Sequence, residues 1–211
     1  GNTTYNPTGG RSGMLASFNG SLYVDYVTLQ LGECDVWGFL YSRGAGGDVN
    51  NVQIIGHPDS ANQIMISVRH NAIVYVGNVS AEGTGDNIRG VRVFNGGTVY
   101  SYGDLAVTTT GTALQMFGGG GLFSYGSDIS LSGAPALTMS GMSRYSNVSF
   151  GSGGRTTIDG GFDISSGSFF STNHLNLGSS AQEDLKISGS LFNVQTVITS
   201  EAEQTFQCTG N

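Results

Sequence analysis

Apolar and polar residues alternate along this chain in short runs, as in Tyr26-Val27-Thr28-Leu29-Gln30-Leu31 and Asp128-Ile129-Ser130-Leu131. Gly, Ser, Asn or Asp breaks each run before it lengthens. A period of two lines one side of an extended strand, and helical spacing is nearly absent, so the pattern predicts an all-β protein. Three prolines in 211 residues leave the strands free to donate their ladder hydrogen bonds.

The runs recur. Val91, Leu114 and Leu137 sit in three similar segments, Gly90 to Gly97, Ala113 to Gly120 and Ala136 to Gly141, at spacings of 23 and 23 residues. Each segment reads apolar, polar, apolar, small or aromatic, then glycine: a short strand with two inward residues and a sharp exit. A second register, Val99-Tyr100-Ser101-Tyr102-Gly103 and Leu122-Phe123-Ser124-Tyr125-Gly126, is again 23 apart. A third begins on an Asx-type residue, in Asn51-Val52-Gln53-Ile54, Asp104-Leu105-Ala106-Val107, Asp128-Ile129-Ser130-Leu131 and Asn147-Val148-Ser149-Phe150. Asn78-Val79, His174-Leu175-Asn176-Leu177 and Asp184-Leu185-Lys186-Ile187 are weaker members. From Asn51 to His174 the intervals are 27, 26, 24, 19 and 27.

Three short strands per repeat of 19 to 27 residues is what a parallel β-helix requires, because one coil cannot close a core alone and stacking at about 4.8 Å per rung makes one. On this reading Leu105, Ile129 and Val148 form one inward column. Asn or Asp ahead of a strand marks a corner, expected to be left-handed, where these residues are tolerated best after glycine and can bond up and down the stack. Residues 1–20 read as an extended lead-in, 21–178 as the β-helix, and 179–211 as a C-terminal cap or oligomerisation segment. The last begins with a possible capping box, Ser180-Ala181-Gln182-Glu183, and contains the strong strand Leu191 to Ile198.

The Asn51-Val52-Gln53-Ile54 and Asn147-Val148-Ser149-Phe150 motifs with their coil length resemble the right-handed parallel β-helix of pectate-lyase-like proteins. The Gly- and Ser-rich, Lys-poor stack with a distinct last segment is most similar to bacteriophage tailspike and tail-fibre proteins. That resemblance implies a virion-tail or extracellular location, a homotrimer with sites in or between chains, contacts with other tail proteins, and a bacterial surface polysaccharide as ligand.

Composition narrows the partners. Fifteen acidic against eight basic residues, a net charge of −7, oppose binding to nucleic acid or insertion at anionic membranes. Charged residues make up 11% and glycine 35 positions, while 38% hydrophobic content is ample for a core and argues against disorder. Cys34 and Cys208 form no CxxC pair and read as two free thiols or as a bridge between the ends. No cofactor or metal is expected: His57, His70 and His174 are scattered, and the Gly-rich runs lack the ending of a phosphate loop.

Glycoside cleavage usually needs two carboxylates about 5–10 Å apart. Candidates are Asp159 with Asp163 and Glu82 with Asp86; Asp104 with Asp128 could bring two like charges together, although Asn51 and Asn147 at the same register favour a turn role. Lys186 and Arg155 lack the acidic calcium-binding setting expected of a pectate lyase. Aromatics offer a binding surface: Tyr100 and Tyr102 share a strand face, and Phe123 and Tyr125 share it one coil later. The commoner fate of Tyr100 and Phe123 is the core; outward, the four form a platform for sugar rings. Trp37 with Tyr41 is the other candidate. A receptor-binding segment of a phage tail is therefore expected, with a polysaccharide depolymerase of the tailspike type as the rival.

Overall fold

The computed structural model describes residues 2–5, 12–33, 36–60, 62–141, 147–150, 154–178, 185–199 and 206–209. Among them every element is a strand, and every strand pairing is parallel. The chain winds as a right-handed parallel β-helix of about seven turns.

Three faces enclose the core. Face A contains Ile73–Val76, Thr98–Ser101, Gly121–Ser124 and Asn147–Phe150. Face B contains Val79–Gly83, Leu105–Thr109, Ile129–Ser132 and Thr156–Asp159. Four longer strands, Ser21–Leu31, Gly46–Ile55, Phe169–Leu177 and Leu191–Thr199, run across the A/B corner and join both faces into one sheet of 13 strands. Face C is a separate nine-stranded sheet that includes Val36–Ser42, Ile64–Arg69, Arg89–Phe94, Leu114–Phe117, Leu137–Ser140 and Phe162–Ser165.

The 23-residue register is the register of face C: Val91, Leu114 and Leu137 are in-line partners and continue to Phe162 and Leu185. Strict alternation puts Met116, Met139 and Ile164 beside them, all fully buried. Face B contributes Val79, Leu105 and Ile129 in one column and Ala81, Val107 and Leu131 in the next. The result is one continuous apolar column, favourable at roughly 25 cal/mol per Å² removed from water.

Val148 corrects the expected column. It is buried, but on face A, between Leu122 and Phe170. Thr156 takes its place above Ile129 on face B, and its hydroxyl bonds that of Thr172 at 2.8 Å. The anomalous 19-residue interval is the trace of this: Asn147 opens a face A strand, and alternation is the same on every face.

The Asx corner also works differently from expectation. Asn51 is left-handed, at φ 48°, but Asn78, Asp104 and Asp128 are not among the positive-φ residues. They act through side chains instead. Asn51 Nδ2 donates to Asp25 Oδ1 at 3.0 Å and Asn78 Nδ2 to Asn51 Oδ1 at 3.1 Å. Higher up, Asp128 N–H donates to Asp104 Oδ1 at 3.0 Å and Arg155 N–H to Asp128 Oδ1 at 2.8 Å. Asp104 and Asp128 therefore bind the backbone of the coil above, which is the turn role.

Pairing continues on either side of 21–178. Ser12–Phe18 pairs with Val36–Ser42, Leu185–Ser188 with Phe162–Ser165, and Leu191–Thr199 with Phe169–Leu177. Cys34 and the 180–183 capping box lie outside the described residues, as does the side chain of Cys208.

The ladder makes a directional prediction. Asn78→Asp keeps an acceptor but removes the donor to Asn51 and sets two oxygens against each other. It should cost about 1–2 kcal/mol, a few degrees of melting temperature. Asp128→Asn keeps the acceptor for Arg155 N–H and adds a donor toward Asp104, so thermal denaturation should show it neutral or slightly stabilised.

Candidate functional site

Tyr75, Tyr100 and Phe123 follow one another in register along face A, with side chains on the outside. Tyr102 and Tyr125 stand just past the strand ends, at the A/B corner. Rungs about 4.8 Å apart hold equivalent rings at stacking distance. Tyr102 and Tyr125 centroids are 4.9 Å apart with an interplanar angle of 8°. Tyr75 stacks on Tyr100 at 5.4 Å and Tyr100 on Phe123 at 5.5 Å. Tyr75, Tyr102 and Tyr125 are 40%, 59% and 58% exposed, so the outer faces and edges of the row are open to a ligand.

The inward fate expected for Tyr100 and Phe123 is thus overturned. Face A fills its interior with Val74, Val99 and Leu122, and the intervening positions must point out. Tyr75 belongs to the same row, and the signal for it in the sequence is that Ile73-Val74-Tyr75-Val76 has the same alternation 25 residues before Thr98-Val99-Tyr100-Ser101.

Below the rings lies a groove of about 280 Å³ lined by Asp48, Asn50, Tyr75, Val76, Gly77, Asn78, Tyr102 and Gly103. Asp48 is the in-line partner of Tyr75, one rung down. A Cβ at Gly77 would collide with the Asn50 carboxamide, so glycine there keeps the floor of the groove open. Phenol, carboxamide and carboxylate groups converge beside an apolar ring surface, which is the combination that orients a polar, disc-shaped ligand. Partial desolvation, followed by the phenols of Tyr125, Tyr75 and Tyr100, raises the Tyr102 pKa.

The other candidates do not join this site. Tyr41 is fully buried and donates its phenol O–H to the Leu22 carbonyl at 3.0 Å, so it is a core residue rather than a ligand contact. Its strand alternates Phe39 and Tyr41 inward. Trp37, at the start of that strand, is half-buried on face C with the Arg69 guanidinium 5.4 Å from its ring centroid. Asp159 ends a face B strand and Asp163 lies on face C beyond the Gly160-Gly161 corner, in line with Thr138 and Lys186. Glu82 is exposed on face B in line with Thr108, and Asp86 is exposed in the turn that follows. None of the four lines the groove, where Asp48 is the one carboxylate.

The fold and this surface define a parallel β-solenoid with an external aromatic row, consistent with a pectate-lyase-like β-helix. No protein-family model, curated protein or solved structure matches the chain.

Tyr41 gives a pH prediction. Burial first, and the Asp48 charge second, push its phenol well above the usual tyrosine range. The unfolded phenol ionises near 10, so the stability gained by keeping Tyr41 neutral is complete below about pH 10 and is lost as pH rises beyond it. Tyr41→Phe should lower stability by about 1 kcal/mol at pH 7 through the lost hydrogen bond. Melting temperatures from pH 8 to 11 should then fall less steeply for Tyr41→Phe than for the parent.

Proposed function

We propose that the protein is a glycan-binding segment of a bacteriophage tail, recognising a bacterial surface polysaccharide without cleaving it. The observation that carries this reading is the exposed row of Tyr75, Tyr100, Tyr102, Phe123 and Tyr125 above the Asp48–Asn50–Asn78 groove. Stacked rings offer flat apolar faces to the C–H sides of sugars. The carboxamides and phenols beside them offer donors and acceptors to hydroxyl groups. A rigid coil stack presents these groups with little ordering entropy to lose on binding. The groove's single carboxylate favours binding over hydrolysis, which uses two.

Binding to host capsule or lipopolysaccharide, followed by calorimetry, tests the platform. Tyr102→Ala and Tyr125→Ala should each weaken binding roughly 5- to 30-fold, about 1–2 kcal/mol, while leaving melting temperature nearly unchanged. Gly77→Ser should weaken it by filling the groove. Wild-type affinity in both tyrosine variants would discard the aromatic mechanism. Release of reducing ends that stops on Asp159→Asn or Asp163→Asn would replace the binding reading with the depolymerase.

The tail reading includes a homotrimer associated partly through the C-terminal segment. In support, the strand Leu191–Thr199 exposes Leu191, Val197 and Ile198 at 60%, 41% and 57%. Apolar exposure of this kind on an edge strand invites a partner chain. Light scattering should give about three times the 21.9 kDa chain mass, reduced to a monomer by Val197→Lys with Ile198→Lys. A monomeric parent chain would discard this part.

A further inference from the structure

Face C carries a second ladder, in which cations alternate with rings. The Arg69 guanidinium lies 5.4 Å from the Trp37 ring centroid and 5.8 Å from that of Phe94. Arg92 lies 4.9 Å from both Phe94 and Phe117, which stack on each other at 4.7 Å. Phe94 thus touches both arginines, and two like charges are held close on consecutive coils. Stacking of this kind suits arginine, whose flat guanidinium is weakly hydrated and leaves its edges free to donate.

Among the described residues no carboxylate balances these charges. The charged groups acting on Arg69 and Arg92 are other arginines, Arg43 on the first and Arg89 and Arg69 on the second. With burial, the larger cause in each case, they lower the affinity of both for their protons. Four of the chain's eight cations therefore gather in one region of a protein whose net charge is −7. Along the row of Arg92 the next residues are Gln115, Thr138 and then Asp163, three rungs or about 14 Å away. The polar atoms around the pair are also short of partners: Arg69 Nε, Arg92 Nε, Ser67 Oγ and Gln115 Oε1 are buried and make no hydrogen bond to any described residue. Ser67 and Gln115 are the in-line neighbours of Arg92 on the coils either side. Clustered unpaired cations and orphaned polar atoms are the condition that a bound anion relieves.

We propose that Arg69 and Arg92, interleaved with Trp37, Phe94 and Phe117, form a second binding site that takes the carboxylate or sulfate group of an acidic sugar. The rings take the sugar face and the guanidinium edges take the oxyanion. The sugar half of this assignment rests on the glycan reading above; the oxyanion half rests on face C alone. Net negative charge sets the site against long phosphate polymers, which the whole molecule repels, and favours a short acidic segment.

Trp37 is the chain's only tryptophan and lies under Arg69, so its fluorescence reports on the site directly. At constant ionic strength, sodium sulfate and a hyaluronan tetrasaccharide should each change its emission saturably, while chloride, maltotetraose and oligothymidylate should not. Arg69→Gln and Arg92→Gln should weaken the response at least tenfold. Arg92→Lys, which keeps the charge and the fold but not the flat fork, should also weaken it, and Arg155→Gln should leave it unchanged. The Tyr102→Ala/Tyr125→Ala double variant should keep the full response, which separates failure of this site from failure of the platform on face A. A missing response, or one that survives both Gln variants, overturns the site. A response to sulfate without the tetrasaccharide, or equal binding of oligothymidylate, overturns the acidic-sugar assignment.

Discussion

The structure depends on parallel rung pairing. A coil of some 25 residues has no way to satisfy its own backbone donors and acceptors, and each strand must find them on the coil above and the coil below. That demand fixes residues in register at about 4.8 Å, and once the register is fixed every side chain inherits a neighbour of equivalent position. The apolar column through Leu105, Ile129, Leu114 and Leu137 is the inward consequence. The Asp25–Asn51–Asn78 ladder is the consequence at the corner, where a carboxamide can donate to the coil below and accept from the coil above.

The same spacing governs the outside. Rings at equivalent outward positions are brought to stacking distance without any further device, and Tyr102 over Tyr125 is nearly parallel at 4.9 Å. A row of this kind is rigid, because each ring is held by a strand that is itself held by its neighbours. The groove beneath it exists because Gly77 supplies no side chain where the coil below projects Asn50. Face C uses the same rung geometry for a different chemistry, placing guanidinium groups between rings rather than rings on rings.

Charge is distributed with equal economy. In a chain with so few ionisable residues, Asp104 and Asp128 accept backbone N–H groups at a corner, and among the described residues no carboxylate pairs with Arg69 or Arg92. The two surfaces are therefore complementary in character: face A offers phenols and carboxamides to neutral hydroxyl groups, and face C offers localised positive charge.

How much of this was legible in the sequence follows from what alternation encodes. Period-two patterning and the 23-residue recurrence of Val91, Leu114 and Leu137 determine the strands, their parallel stacking and the pairing of Tyr102 with Tyr125 and Tyr100 with Phe123, because these are local properties of an extended chain. Which of two alternating sets faces the core is not local. Tyr41 is inside and Tyr100 outside because the interior can hold only what the opposite faces leave room for. Nor is the face to which a strand belongs: Val148 obeys the same pattern as Leu105 and Ile129, yet it stacks on Leu122, since coil lengths vary and only closure of the whole turn sets the count. Asp48 beside Tyr75, and Arg69 beside Phe94, come from different coils. Their proximity was decided by the winding of the chain, which brings together residues that no repeat in the sequence marks as neighbours.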